Sequence, residues 1–449
     1  MLFSWISNQF NAISDRKSSF KYFLVFFVTY FTILSLKIPS AYKNFWAEDG
    51  NLFYEAALNT DFLSTFFTPA AGYMCGISRI IGSTTAIFPI SFAPFVNFVL
   101  VCFTLAIIGV SILYNLKNII RTYALALVVI LQVVLLPINN FETLGNATGL
   151  HFILLFPALL ISINTANSNI LSRFDLAILL LALLSDPLSL LCLIPIVIKF
   201  LLNRDWFYSF KNKRFLILVV FVSGFQTLFT LYNGINRVSN VEKSYSLVSV
   251  LKTSYLYLDR VVGSSLIPNW GFISNDNFSG GYIGMKLLLR GSLAGIVMLS
   301  IFFAAYFLLV TCKIEVKSSD ARRLWVSQLL GVSLFYWFVA GLGINPEPRY
   351  AVFPGLSLFT ASVIIFESAL SKFRIISWYS IKTFFVIACI YISMTWIFSW
   401  APHDRRINGP TWNSQLYLAK KFCNKNKQDN YNMLIVPIGW SLNIPCRHL

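Results

Sequence analysis

Long apolar runs recur along almost the whole chain, and they constrain its fold more than any other feature. Eleven runs approach the length that a helix needs to cross a bilayer, and 57% of the 449 residues are hydrophobic. A soluble core could not cover so much apolar surface. The runs are continuous, whereas the strands of a membrane barrel alternate in polarity. The sequence therefore predicts an all-α polytopic membrane protein with about 11 transmembrane helices.

The predicted spans are 20–36, 84–114, 122–137, 150–164, 175–186, 187–202, 215–232, 284–311, 324–343, 350–370 and 376–398. The fifth and sixth are short. A re-entrant pair that turns at residues 185–187 is therefore the alternative for these two spans.

The basic residues predict the orientation. If the N-terminus is cytoplasmic, sixteen of the 35 lysines and arginines fall near span ends on that side. The short loops on the other side, 138–149 and 344–349, carry only Arg349. Cytoplasmic loops carry this kind of excess, so we expect the N-terminus inside and the C-terminus outside. The net charge of +17 is then mostly a topology signal, and no soluble basic face for a nucleic acid is expected.

Three long segments fall on the outer side: the first loop 37–83, the large loop 233–283 and the tail 399–449. All three are richer in polar, aromatic, Gly and Pro residues than the spans. We therefore predict a membrane-embedded catalytic domain over 1–398 and an outer tail over 399–449. Cys423 and Cys446 both lie in the tail, where an oxidising compartment favours a disulfide and a reducing one favours two free thiols.

Two adjacent carboxylates, Glu48 and Asp49, lie in the first outer loop, and a short amphipathic helix from 49 to about 59 follows them. One interpretation is structural: Asp49 caps this helix and Glu48 favours the positive end of its dipole. The other is catalytic. Two carboxylates close to lipid repel each other and lose hydration, which raises at least one pKa toward the range of a general base.

Five short motifs strengthen the catalytic interpretation. Besides the Glu48-Asp49 pair, they are FETLGNATGLH at 141–151, SDPLS at 185–189, PEPRY at 346–350 and VPIGW at 436–440. With these motifs the chain resembles the GT-C class of membrane glycosyltransferases, and among them the serotype-converting glucosyltransferases that modify O-antigen. Protein mannosyltransferases of the class carry the acidic pair as Asp-Glu, so the order here is reversed.

This resemblance implies an enzyme of the bacterial inner membrane with its C-terminus in the periplasm. The enzyme would move a hexose, expected to be glucose, from a polyprenyl phosphate such as undecaprenyl phosphate to a lipopolysaccharide O-antigen. Asp49 is expected to be the base that takes the proton of the attacking hydroxyl, with Glu48 as its catalytic partner. No cofactor is required, although a divalent cation shared by the two carboxylates and the phosphate stays open.

Further residues are predicted to bind the substrates. A guanidinium can hold a phosphate bidentately, and polar groups near the membrane core are costly unless they are paired or bind a ligand. The candidates are Arg349, Tyr350, Glu142, Asn146, His151, Asp186 and Glu55. Structural roles are the alternatives: an ion pair for Arg349, an interfacial anchor for Tyr350, and helix caps for Glu142, Asn146 and Asp186.

Two other functions stay open. An O-antigen polymerase or ligase would also act on the outer face, and the large loop 233–283 suits it. A flippase or transporter of lipid-linked sugars would show repeated halves and ionisable groups deep in its helices; no repeat is visible in this sequence. The expected partners are the lipid-linked donor, a glycan acceptor and membrane lipids.

Overall fold

The computed structural model describes residues 16–117, 119–136, 143–168, 170–203, 205–211, 213–238, 250, 253–254, 256–263, 317–344, 348–372, 409–425 and 429–449. The predicted spans 284–311 and 376–398 lie outside these residues. So do Glu142 and most of the predicted loop 233–283.

The described chain is mostly helical. Its N-terminal helices are α1 (Arg16–Lys37), α2 (Glu55–Asn59), α3 (Phe62–Phe67), α4 (Gly76–Ala86), α5 (Ala93–Leu116), α6 (Tyr123–Leu135) and α7 (Leu150–Ser168). The next helices are α8 (Arg173–Leu183), α9 (Ile194–Leu202), α10 (Asp205–Ser209), α11 (Lys213–Val238), α12 (Lys317–Ile344), α13 (Val352–Lys372) and α14 (Trp412–Lys425). Strands β1 (Asn430–Ile435) and β2 (Trp440–Pro445) pair antiparallel in the tail.

Six helical segments among the described residues are long and apolar enough to cross a membrane. They are Ser19–Lys37, Ile90–Leu116, Leu150–Ser168, Lys213–Asn233, Ala321–Gly341 and Arg349–Ser368. Helix α6 and the segment Pro187–Leu202 are shorter apolar helices. These segments support a mostly helical membrane protein. The paired strands of the tail depart from the all-α prediction, and the number of about 11 spans stays a prediction.

Two predicted span boundaries differ from the structure for local reasons. The span predicted over 84–114 is interrupted, because α4 ends at Ala86 and a new helical segment begins at Ile90, directly after Pro89. The span predicted over 175–186 ends at Leu183, and a 3₁₀ helix over Pro187–Leu193 follows. Asp186 therefore lies in a turn between two helices and not within a span.

Several loops meet at one end of the bundle, which we call the loop face. The first loop contacts the turn before α7 through Asp49 and the turn after α8 through Gly76, whose N–H donates to the carbonyl of Leu184 over 3.0 Å. Tyr350, just before α13, lies with its ring 5.2 Å from that of Phe152 near the start of α7. All these segments were predicted to share the outer side, and the structure confirms this grouping.

At the opposite end, the carboxylate of Glu367 joins three elements. It accepts hydrogen bonds from Arg322 Nη2 (2.9 Å) and from the backbone N–H groups of Arg121 (3.1 Å) and Thr122 (2.6 Å). The starts of α6 and α12 therefore lie beside the end of α13. The basic residues at these helix ends share one face, as the sequence predicts.

The tail packs on the first loop. Trp412, Met433 and Leu442 of the tail share a buried cluster with Phe45 and Tyr54 of the loop. A disulfide joins Cys423 to Cys446 with 5.6 Å between their Cα atoms, so the oxidised alternative is the one present.

We expect residues of the two faces to label from opposite sides of the membrane. Lys43 on the loop face and Arg173 on the opposite face are both exposed, so Lys43→Cys and Arg173→Cys would each offer a reactive thiol. An impermeant maleimide should label Lys43→Cys in intact cells and Arg173→Cys only after permeabilisation. The unsubstituted chain gives the background. Labelling of both variants in intact cells would contradict the topology.

Candidate active site at the loop face

The acidic pair lies at the start of a short helical segment, as the sequence predicts. Asp49–Tyr54 forms a π-helical turn that continues into α2. Phe53 and Tyr54 are buried, and α4 packs closely against the turn. A side chain at Gly82 of α4 would lie only 2.8 Å from the backbone of Phe53. The segment is therefore held firmly, and so are the two carboxylates at its start.

Asp49 is buried, with 1% of its surface exposed, and its carboxylate accepts four hydrogen bonds. Oδ2 accepts from Asn97 Nδ2 (3.0 Å) and from the N–H of Ala147 (2.7 Å). Oδ1 accepts from the N–H of Thr148 (2.9 Å) and from its hydroxyl (2.6 Å). These bonds join the first loop to α5 and to the turn that leads into α7.

These contacts favour a structural role for Asp49. An ionised carboxylate has about four lone-pair sites, and protein donors fill all four, so none points toward an attacking hydroxyl. The structural alternative proposed a cap on the helix that follows Asp49, but the side chain makes no such bond there. It holds the N–H groups in front of α7 instead, where a negative charge is favourable.

Two other predicted binding residues also have structural contacts. Asn146 Oδ1 accepts the N–H of Gly149 over 2.7 Å, which is the capping alternative. Glu55 accepts the N–H of Asn443 in β2 over 2.9 Å and so ties α2 to the tail. These bonds place Glu55 at the junction with the tail and Asn146 in the turn before α7.

Asp186 and His151 form the centre of a buried polar group. Asp186 Oδ1 accepts the N–H of Leu188 over 2.8 Å, which confirms its predicted capping role. Oδ2 lies 3.8 Å from His151 Nε2 and accepts no hydrogen bond within the described part of the chain. Neither ring nitrogen of His151 has a partner with good hydrogen-bond geometry there, although the backbone of Thr148 lies close to the ring. Buried polar groups are nearly always satisfied, so this pair offers unused hydrogen-bonding atoms to a ligand.

Burial gives Asp186 the acid–base properties that were predicted for the carboxylates of the first loop. The apolar surroundings disfavour the charged carboxylate and raise its pKa to about 7, although the bond from the N–H of Leu188 opposes the shift. A carboxyl with this pKa exchanges its proton near neutral pH, as a general base or acid must.

Tyr73 and Cys75 extend the group toward the first loop. Tyr73 follows a tight turn in which Ala71 (φ 56°) and Gly72 (φ 85°) both have positive φ. Its side chain lies close to the Cys75 thiol, and burial raises the pKa of that thiol to about 12 although Arg79 partly opposes the shift. Glu48 is close enough to Cys75 to interact with it electrostatically, and it is half-buried.

Arg349, Tyr350 and Tyr336 complete the group from the C-terminal half. Arg349 is close enough to interact electrostatically with Tyr73 and His151, and its guanidinium lies 6.0 Å from the Tyr350 ring centre. Tyr336 of α12 interacts electrostatically with Asp186, and its buried hydroxyl has no partner among the described residues. We call this set the outer polar cluster: Glu48, Tyr73, Cys75, His151, Asp186, Tyr336, Arg349 and Tyr350.

Five members of the outer polar cluster were predicted from sequence, and three were not. Tyr73, Cys75 and Tyr336 lack a motif, since tyrosines near membrane surfaces and buried cysteines are common in any such chain. The turn at Ala71-Gly72 was a local signal for Tyr73. Only the three-dimensional packing of α12 against the 187–193 segment brings in Tyr336.

A divalent cation does not fit beside Asp49, because the groups around its two oxygens are hydrogen-bond donors. A cation would have to displace them. Within the described residues, no three His, Cys, Asp or Glu side chains form a metal-binding group.

Comparisons with protein-family models, with curated proteins and with solved structures found no match to this chain.

We expect Asp49→Asn to destabilise the protein. The side-chain amide of asparagine would present two N–H donors to neighbours that are themselves hydrogen-bond donors. The loss of the charge-assisted hydrogen bonds should lower the free energy of unfolding by about 3 kcal/mol. Thermal unfolding of the purified protein would measure this as a clear fall in the apparent midpoint. Asp61→Asn is the matched control, since Asp61 is an exposed helix cap that asparagine can replace. An unchanged midpoint in Asp49→Asn would contradict the structural role.

Proposed function

We propose that the protein is a GT-C type glycosyltransferase. It moves a hexose, expected to be glucose, from a polyprenyl-phosphate donor to a surface polysaccharide such as O-antigen. The reaction takes place at the loop face, which is the periplasmic side of the bacterial inner membrane in this proposal. The observation that supports it is the buried pair Asp186 and His151, which lies near the half-buried Arg349 and beside the first loop.

Asp186 is the proton acceptor in this proposal, in place of Asp49. The acceptor hydroxyl attacks the anomeric carbon, and its proton passes to Asp186 Oδ2 as the new C–O bond forms. The bond from the anomeric carbon to the phosphate oxygen breaks, and the polyprenyl phosphate leaves with the electron pair. His151, 3.8 Å from Asp186, is placed to donate a hydrogen bond that orients the carboxylate or a sugar hydroxyl.

Arg349 supplies the positive charge that the leaving phosphate requires. Its guanidinium comes from the C-terminal half of the chain and lies near Tyr73 and His151. There it can hold two phosphate oxygens. Glu48 lies on the first-loop side, near Cys75, where its carboxylate can accept hydrogen bonds from sugar hydroxyls. Asp49 acts indirectly, because it fixes the loop that carries Glu48.

Two rival functions would depend on other properties of the protein. A polymerase or ligase would depend on the large loop 233–283, of which the structure describes only a part. A flippase or transporter would move a lipid-linked sugar without breaking a covalent bond.

Structural analysis of the surface polysaccharide from cells with and without the gene separates the three functions. An added side-branch sugar supports the transferase. Altered chain length or missing attachment of the polysaccharide supports a polymerase or ligase. An unaltered glycan structure with altered amounts supports transport.

We expect Asp186→Asn to abolish sugar addition while the protein stays folded. The side-chain oxygen of asparagine can still accept the N–H of Leu188, and the substitution removes a buried charge. The thermal unfolding midpoint should therefore be unchanged or higher. The proton acceptor is lost, however, and the rate should fall at least 100-fold. Transfer of sugar to the polysaccharide in membranes would measure this, with Asp61→Asn as the control for the chemical change.

The wild-type rate should depend on pH through the same group. Asp186 must be deprotonated to accept a proton, so activity should fall as the pH drops below about 7. Full activity in Asp186→Asn, or a flat profile between pH 5.5 and 8, would remove Asp186 from the catalytic role.

A further inference from the structure

Arg79 is a buried arginine on the loop face that has no part in the proposed reaction. It lies on α4, one turn after Cys75, and only 1% of its surface is exposed. Its Nη1 donates to the backbone carbonyl of Leu52 over 2.6 Å, and its guanidinium lies 5.0 Å from the Phe53 ring centre. Both contacts are on the π-helical turn that follows the acidic pair.

No carboxylate compensates the charge of Arg79 within the described residues. The ion pairs found there are Arg322–Glu367 and the His151–Asp186 contact. Arg79 Nε is buried and has no hydrogen-bond partner in the same part of the chain. Burial lowers the pKa of Arg79, and the Cys75 thiol partly opposes this shift, yet an arginine keeps its proton in proteins. The site is thus a buried cation with an unused donor.

Such a group is costly. Burying an ion without a partner carries a penalty of several kcal/mol even after relaxation, and one carbonyl and one aromatic face offset only part of it. An anion that arrives from outside would compensate the charge and occupy the unused donor. Aspartate or glutamate of the chain itself does not do so among the described residues.

The surroundings of Arg79 indicate which kind of anion it would bind. α4 packs against α3, whose Phe62, Leu63 and Phe67 are exposed. The Phe67 ring lies 6.2 Å from that of Phe225 on the membrane-spanning helix α11. Exposed apolar side chains beside a membrane-length helix are typical of a segment that lies at the membrane interface, where phosphate groups of lipids lie. On its other side, Cys75 links Arg79 to the outer polar cluster.

We propose that Arg79 is an anion-binding residue that holds a phosphate group at the edge of the outer polar cluster. The guanidinium keeps its bond to Leu52 and uses Nε for a phosphate oxygen. The phosphate comes from a lipid-linked molecule or from free inorganic phosphate. This inference deepens the proposed function, since a polyprenyl-phosphate donor carries such a group, but phosphate binding is measurable whether or not sugar is transferred.

The experiment measures phosphate binding by the purified full chain in detergent. The probes are citronellyl phosphate, citronellol as its uncharged match, and inorganic phosphate. A ligand that binds only the folded state raises the apparent unfolding midpoint with concentration. We expect citronellyl phosphate to raise the midpoint and citronellol to leave it unchanged. A rise with inorganic phosphate alone at the same concentrations assigns the site to free phosphate, which still supports a phosphate site.

The variants Arg79→Gln and Arg79→Lys test the residue. Arg79→Gln should weaken phosphate binding at least tenfold, and Arg79→Lys should weaken it less, because a lysine keeps the charge but not the planar donor fork. Lys43→Gln is the matched control, since Lys43 is an exposed cation of the same loop; it should bind as the wild type does. If Arg79→Gln is too unstable to study, Arg79→Lys carries the test.

Phosphate binding of wild-type strength in the folded Arg79 variants would overturn the inference and leave Arg79 as a support for the π-helical turn. No response of the wild type to either phosphate probe would overturn it as well. Phosphate binding that depends on Arg79, in a protein that transfers no sugar, would keep the site and remove the proposed function.

Discussion

The carboxylate of Asp49 is the contact on which the architecture of the loop face depends. Its four hydrogen bonds join the first loop to Asn97 of α5 and to the backbone in front of α7. These segments are far apart in sequence, and each leaves polar groups that a membrane environment would not satisfy. One buried anion satisfies them together. Glu48, the preceding residue, is thereby held at the edge of the outer polar cluster.

The membrane class and the grouping of the loops could be predicted from sequence, because apolar length and basic asymmetry report on them directly. The acidic pair could be located but its roles could not. Asp49 and Asp186 both begin helical segments, and only their surroundings differ: donors fill every site on Asp49, whereas one oxygen of Asp186 faces His151. The positions of Tyr336 and Arg79 at the loop face result from packing between elements that are distant in sequence. No local sequence pattern predicts such packing.

Burial explains why the outer polar cluster suits acid–base chemistry and anion binding. Burial of the Asp186 carboxylate raises its pKa to about 7. Burial of the Arg79 guanidinium leaves a positive charge that no carboxylate among the described residues compensates. In the proposed transfer reaction, the same desolvation would serve both the proton transfer and the departure of the phosphate. A hydroxyl must lose a proton at one point while a phosphate leaves with negative charge at another.

The docking of the tail on the first loop links the order of synthesis to the completion of the site. Residues 44–55 leave the ribosome early, yet partners such as Trp412 and Asn443 are made hundreds of residues later. Until the tail has folded, the segment with Glu48 lacks the surface on which it rests. The loop face of a half-made chain is therefore incomplete, and it is finished only when the two strands of the tail have been made and paired.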